Sequence, residues 1–248
     1  MARIALAQIR YFDDNTRHNV SKIIKYIKLA KKKKADIICF PESCIHKSAL
    51  DLNHWVVEEV KKECKKNNIW AIITDDIQVR GKTYNKSILI NRKGTITGGY
   101  NKIHLYGDKT EAGKKIQIFK TDFAKAGLAI CWDLAFPELF KKLKQAGAEI
   151  VFCPAQWWYD AKTYQKYEYS VARKKEAEVL RSLIRTRAFE NQFFVAICNP
   201  VMNSNFQVSY TGIASPVKIL KEIEDKEGMI VVKVNLNEIK KAEKLYKS

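Results

Sequence analysis

Three residues whose types can carry acyl transfer follow apolar stretches of the chain. Glu42 comes just after residues 35–40, Lys102 after an apparent hairpin, and Cys131 at the end of the run 126–130. A thiol at a strand-to-helix corner lies near backbone amides that favour an anion, which lowers its pKa and helps to hold an oxyanion. The corner here is Ala129-Ile130-Cys131-Trp132-Asp133-Leu134-Ala135-Phe136-Pro137-Glu138-Leu139, with Pro137 suited to the first turn of a helix. Cys131 has two readings: a nucleophile, or one more small buried residue, the commoner fate of a lone cysteine. In the first reading Glu42 takes the thiol proton. Lys102 and the Trp132 amide then face the oxyanion. Glu42 next protonates the leaving amine and activates the deacylating water. Taken singly, a glutamate or a lysine is more often surface charge.

Such a trio needs strands whose C-terminal ends meet at one rim. Residues 4–9 read as a strand, and Asn15 or Thr16 caps a helix to about Lys34 with Val20, Ile23, Ile24 and Ile27 on one face. Residues 35–40 form a short buried strand delivering Pro41-Glu42-Ser43, followed by a helix over 53–66 and a strand over 70–74. Residues 84–91 and 95–100 read as a hairpin turning at Arg92-Lys93-Gly94, and a polar loop through Glu111 and Gly113 comes after 101–105. In the second half, strands over 116–119, 127–131, 149–153 and 193–198 accompany helices over 137–145 and 170–191. Residues 212–215 and 229–234 read as final strands, and 237–247 as a terminal helix. The halves repeat strand, helix, strand, helix, strand without sequence identity. The expectation is an α/β fold with two sheets face to face and helices outside, a four-layer α-β-β-α sandwich. No Gly-, Ser- or Pro-rich linker divides residues 1–248, so a single domain is expected.

Composition narrows the function classes. The chain of 248 residues is long enough for a substantial core, and 46% hydrophobic content is ordinary for a globular protein. No apolar run reaches the roughly 18 residues of a membrane span. Met1-Ala2-Arg3-Ile4-Ala5-Leu6-Ala7-Gln8 turns polar too soon for a signal peptide, so a cytoplasmic protein is expected. Cysteines stand at 39, 44, 64, 131, 153 and 198 with no CxxC pair, which fits reduced thiols rather than a disulfide framework or zinc site. The histidines at 18, 46, 54 and 104 add no ligand spacing, and no metal is expected. The net charge of +18 suggests either nucleic acid or an acidic partner, or a Lys-rich solvated surface. The lysines are spread, as at 31–34, 61–62, 65–66 and 141–142, without a nucleic-acid-binding motif. The solvated surface is therefore the reading adopted, with no nucleic-acid partner.

Phe40-Pro41-Glu42, Tyr100-Asn101-Lys102-Ile103-His104-Leu105 and the stretch Cys131 to Leu139 resemble, in order and at suitable spacing, the three signatures of the nitrilase superfamily of carbon–nitrogen hydrolases. The likeness spans nearly the whole chain. Ile4-Ala5-Leu6-Ala7-Gln8 resembles the opening strand, Tyr84-Asn85-Lys86-Ser87 the segment before the hairpin, and Arg185-Thr186-Arg187-Ala188-Phe189-Glu190-Asn191 the helix near the dimer side. The resemblance implies an α-β-β-α sandwich that forms a homodimer or higher homo-oligomer and needs no cofactor. It assigns Glu42 as general base, Lys102 as oxyanion stabiliser and Cys131 as the nucleophile that forms a thioester as ammonia or an amine leaves. A further active-site glutamate follows the Lys-x-His-Leu motif in many members, and Glu111 is its best match here.

Departures concern the substrate more than the chemistry. Many members carry Arg where this chain has Ala135, so a carboxylate-bearing substrate is less readily assumed. The usual Pro-x-Gly turn is missing around Ser215-Pro216. The loop 156–170 is long and aromatic. Trp157, Trp158 and Tyr159 either line a substrate pocket, with Trp132 beside the nucleophile, or form a lid or dimer contact. The expected activity is hydrolysis of a small amide, ω-amide or N-carbamoyl compound. Nitrile hydrolysis by the same triad is an alternative, as is a non-catalytic binding protein on this fold.

Overall fold

Residues 1–10, 15–46, 48–160, 162–201 and 205–246 are described by a computed structural model. The first half runs β1 (Ala2–Gln8), α1 (Thr16–Lys32), β2 (Ile37–Glu42), α2 (Trp55–Asn67), β3 (Trp70–Val79), β4 (Lys82–Ile90) and β5 (Ile96–Asn101). The second runs β6 (Ile118–Lys120), β7 (Lys125–Leu128), a 3-10 helix (Cys131–Ala135), α3 (Pro137–Gln145), β8 (Ile150–Pro154), α4 (Tyr169–Asn191), β9 (Phe194–Cys198), β10 (Tyr210–Ala214) and β11 (Ile219–Glu224). β12 (Gly228–Val234) and α5 (Asn237–Tyr246) complete the described chain.

The strands form two six-stranded sheets, ordered β12-β1-β2-β3-β4-β5 and β11-β10-β9-β8-β7-β6. In each, three parallel strands (β1, β2, β3 and β7, β8, β9) are joined by helical crossovers and flanked by antiparallel strands. β12 lies against β1 as β6 lies against β7, so the halves match once the last strand is set before the first. β2, β8 and β9 are buried along their whole length, which accounts for their continuous apolar sequence. β1 and β2 of one sheet pack against β8, β9 and β10 of the other.

Two cores follow from this layering. On the outer face of the first sheet, Ile38, Ile73 and Ile88 meet Ile23, Ile27, Val57 and Val60 from α1 and α2. A larger core is continuous from between the sheets, where Leu6, Cys39 and Ile72 join Leu128 and Phe152, to the side chains of Phe140, Leu180 and Ile184 on α3 and α4. Burying each large aliphatic or aromatic side chain stabilises by about 1.5–3 kcal/mol. The architecture is the expected α-β-β-α sandwich.

Element ends follow local chemistry. Asn15 Oδ1 accepts from the His18 amide at 2.9 Å and starts α1, while Lys34 adopts a φ of 60° two residues past its end. α2 begins at Trp55 rather than near Asn53, with His54 as its cap. β7 stops at Leu128, short of the expected Cys131. Residues 219–224, assigned no strand from the sequence, form β11 at the sheet edge with a half-exposed, charge-rich pattern. The terminal helix is described to Tyr246, and Lys247 lies outside the described residues.

Candidate active site

β2 and the 3-10 helix both end or begin in a backbone conformation that side chains seldom adopt. Ser43, the residue after Glu42, has a φ of 51°, and Cys131 itself has a φ of 46°. Left-handed backbone at a non-glycine residue is strained and clusters at functional sites. The sharp turn at Cys131 raises its side chain at the mouth of the 3-10 helix, whose first amides have no intrahelical acceptor. The corner is braced from both ends. Asp133, fully buried, accepts from the Ile130 amide at 3.0 Å, the Tyr100 hydroxyl at 2.7 Å and the His104 amide at 2.9 Å, with His104 Nδ1 also 2.8 Å away. That single carboxylate ties the Cys131 corner to the segment that carries Lys102. The His104 ring stacks on Phe136 with centroids 3.7 Å apart. At the other end of the turn, Arg187 donates to the carbonyls of Leu134 and Ala135 at 3.1 and 3.3 Å.

Glu42, Lys102 and Cys131 line one cavity of about 210 Å³, together with Ser43, Tyr106, Gly107, Asp108, Trp132, Gln156, Trp157 and Trp158. Glu42 is 3% exposed. Its Oε1 accepts from Lys102 Nζ at 3.1 Å and from Asn85 Nδ2 at 2.8 Å, and its Oε2 from the Gln156 amide at 2.9 Å. The Glu42 amide reaches the Ala155 carbonyl at 3.3 Å, joining the rims of the two sheets. Lys102 Nζ is also 3.1 Å from Asp108 Oδ2.

The electrostatics follow from burial working against these partners. Burial pushes the Glu42 carboxyl above its ordinary pKa, against the pull of Lys102 and the Gln156 amide. Burial and then Glu42 push the Cys131 thiol well up, with Lys102 opposing, so the lowering expected of a strand-to-helix corner is outweighed. Burial works against the Lys102 charge, but Glu42, Cys131 and Asp108 outweigh it and hold the ammonium protonated. A protonated thiol beside a carboxylate of raised basicity and a fixed cation is the arrangement that general-base activation needs.

Trp132, Trp157 and Trp158 all border the cavity. Trp132 sits between Tyr106 and Trp157, with ring centroids 4.8 and 5.5 Å away. Trp157 is fixed by Nε1 to Glu176 at 2.8 Å and by its amide to Asn199 at 3.0 Å. Glu111, expected from the sequence as a further active-site carboxylate, is not among the residues that line this cavity. Its amide donates to the Thr83 carbonyl on β4, and its carboxylate turns outward to Lys82 at 3.5 Å in a separate groove. Asp108, three residues earlier, stands beside Lys102 instead. The loop is held in that register by Gly113, whose amide donates to the Lys102 carbonyl at 2.7 Å and where a Cβ would come within 2.1 Å of the Asn101 oxygen. Asn85, Asp108 and Gln156 were given no role from the sequence. Only Asn85 carried a signal, as part of Tyr84-Asn85-Lys86-Ser87. Among the described residues, no group of three or more His, Cys, Asp and Glu side chains is placed to hold a metal ion, and no helix is long and apolar enough to cross a membrane.

A family model described as carbon-nitrogen hydrolase matches residues 3–244. The chain is similar to a 2-oxoglutaramate amidase of Bacillus subtilis, 30% identical over 190 residues, covering 72% of this chain and 67% of the relative. In fold it is similar to a carbon-nitrogen hydrolase from Helicobacter pylori G27, with a TM-score of 0.88 at 16% identity over 99% of this chain and 93% of the other. It is also similar to a mutant amidase from Nesterenkonia sp. AN1 whose active-site cysteine has undergone Michael addition of acrylamide. That match has a TM-score of 0.80 at 18% identity, over 100% and 99% of the two chains.

Proposed function

The chain belongs to the carbon-nitrogen hydrolase family, and on that premise we propose that it hydrolyses the carbon–nitrogen bond of a small amide through an acyl thioester on Cys131. The observation that carries this reading is the meeting of Glu42, Lys102 and Cys131 on one cavity, with Lys102 Nζ 3.1 Å from Glu42 Oε1.

Glu42 removes the thiol proton as Sγ attacks the amide carbonyl carbon. The carbonyl π pair moves to oxygen, and the resulting oxyanion faces Lys102 Nζ and the Trp132 amide. Collapse re-forms the carbonyl and breaks the carbon–nitrogen bond. Protonated Glu42 passes its proton to the departing nitrogen, so ammonia or an amine leaves neutral. Glu42, ionised again, deprotonates a water that attacks the thioester. The second collapse releases the carboxylic acid and returns the proton to Cys131. Asp108 is a positioning residue: it is a second carboxylate on the Lys102 ammonium besides Glu42. Asn85 and the Gln156 amide fix the two oxygens of Glu42, leaving the carboxylate few orientations.

The test is ammonia or amine release from a panel of small amides by the wild type and by Cys131→Ala. Release by the wild type, lost in a variant with an unchanged circular dichroism spectrum, supports the reading. Undiminished release by the variant removes Cys131 from the reaction.

A further inference from the structure

Charge balance around the cavity restricts the acyl group. Among the described residues that line it, the acidic and basic side chains other than the thiol and the Tyr106 phenol are Glu42, Asp108 and Lys102. Lys102 is the one cation among them, its side chain is 3% exposed, and both carboxylates lie 3.1 Å from its ammonium. Its charge is already matched on two sides. With both acids ionised the lining carries one excess negative charge, and with Glu42 protonated it is neutral. In neither state does a lining cation remain for a substrate carboxylate. Ala135 supplies none, and Arg187 in that neighbourhood spends its guanidinium on the Leu134 and Ala135 carbonyls and on Glu190 at 3.0 Å. Of the remaining walls, Tyr106, Trp132, Trp157 and Trp158 offer aromatic surface, and Ser43, Gly107 and Gln156 add uncharged groups. The +18 net charge does not reverse this, because surface lysines are screened over about 8 Å at physiological salt while charges lining a cavity are screened far less.

We propose that the cavity selects small amides with an uncharged acyl chain and discriminates against amides whose acyl chain ends in a carboxylate. This rests on the acyl-transfer reading above and names its substrate class. An anionic acyl chain loses its hydration on entry and meets Asp108 without a compensating cation, whereas an alkyl chain of the same length gains contact with the indole rings. The cavity volume of about 210 Å³ lies below that of sites for drug-sized ligands, which suits a short chain. The proposal sets this chain apart from its 2-oxoglutaramate amidase relative, because 2-oxoglutaramate carries a carboxylate.

The experiment compares alkylation of Cys131 by iodoacetamide and by iodoacetate, followed by peptide mass mapping and referred to the ratio of the same reagents on glutathione. The two reagents are close in size and differ in charge, and the measurement needs no knowledge of the substrate. Iodoacetamide is expected to be preferred at Cys131 by roughly tenfold beyond the glutathione ratio, with Asp108→Asn narrowing the gap. A ratio equal to that of glutathione, or a preference for iodoacetate, overturns the proposal. In parallel, butyramide and succinamate, matched in chain length, are compared as substrates, and butyramide is expected to have the higher kcat/KM. Equal or better turnover of succinamate also overturns the charge argument but leaves thioester chemistry in place. Loss of both amide turnover and Cys131 alkylation overturns the acyl-transfer reading and this proposal with it.

Discussion

One loop supplies the carboxylates of two lysine–carboxylate pairs, and the pairs have little in common beyond their chemistry. Asp108 meets Lys102 at 3.1 Å with side chains 17% and 3% exposed, while Glu111 meets Lys82 at 3.5 Å with side chains 53% and 59% exposed. In water an exposed pair is worth about 0–1 kcal/mol, because solvent screens it and two long side chains must be held still. Breaking a buried pair costs about 3–5 kcal/mol, since the remaining charge stays behind uncompensated. The inner pair is further set by Glu42 on the same ammonium, so it forms a fixed three-charge array rather than a contact. A carboxylate three residues away along the chain therefore sits in a different physical regime, decided by which side of the β5 rim the loop places it on.

The strongest way to break this contrast is inside the array. Cys131→Ala is expected to reduce amide turnover below detection. Glu42→Gln, which keeps shape but removes the base, is expected to lower kcat by about 10²–10⁴-fold. Lys102→Met is expected to cost roughly 10²–10³-fold in kcat. Each is read in an ammonia-release assay, and a residual rate within tenfold of wild type contradicts the assigned role. The acid limb of the kcat/KM profile belongs to the same group. In the proposed role Glu42 must be ionised to act as base, and burial raises its pKa, so activity is expected to fall with falling pH through a value above the ordinary carboxylate range. An acid limb at or below about 4.3 contradicts this.

Asp108→Asn sharpens the contrast from the positioning side. It keeps the shape and loses the charge, and is expected to lower kcat roughly tenfold with KM little changed, because it acts through Lys102. Glutamate at the same position is expected to restore part of the rate. A change in KM alone would show a contact with substrate instead.

Asp75 shows what burial does to a carboxylate held by backbone amides. Asp75 is 3% exposed and accepts from the amides of Ile45, His46 and Asp76, and burial pushes its pKa up to about 8. A raised folded-state pKa contributes stability that is full below the unfolded value near 3.9 and is lost as pH rises through about 8. Thermal unfolding temperatures of the wild type are therefore expected to fall between pH 5 and 9 more steeply than those of Asp75→Asn. Parallel curves contradict this. The smallest effect belongs to the outer pair: Glu111→Gln is expected to change kcat/KM less than twofold, and a loss of tenfold or more would return Glu111 to the site.

The architecture was legible because its strands announce themselves. A parallel strand covered on both faces reads as a continuous apolar run, as at 37–40, 150–153 and 194–198, and strand ends then place Glu42 and Cys131 on a rim. β11 was illegible for the converse reason, since an edge strand facing solvent carries charges at 221, 222 and 224 and lacks an apolar run. Trp132, Trp157 and Trp158 border the cavity, and the sequence offered them through the residue beside Cys131 and the aromatic loop 156–170. Asp108 was passed over for Glu111 because register within a loop is set by distant backbone bonds, here Glu111 to Thr83 and Gly113 to Lys102, which no local pattern encodes. Asp133 stood in plain view in its motif, but its bracing role depends on Tyr100 and His104 arriving from about thirty residues earlier.

The central claim is a common acyl-enzyme intermediate on Cys131, and the direct measurement is product partitioning in the presence of hydroxylamine. A set of amides sharing one acyl group but differing in the leaving amine is turned over by the wild type, and the ratio of carboxylic acid to hydroxamate is measured for each. One thioester intercepted by two nucleophiles predicts the same ratio for every leaving amine, with neither product formed by Cys131→Ala. A ratio that changes with the leaving amine would mean that water and hydroxylamine attack the bound amide itself, and would contradict the account.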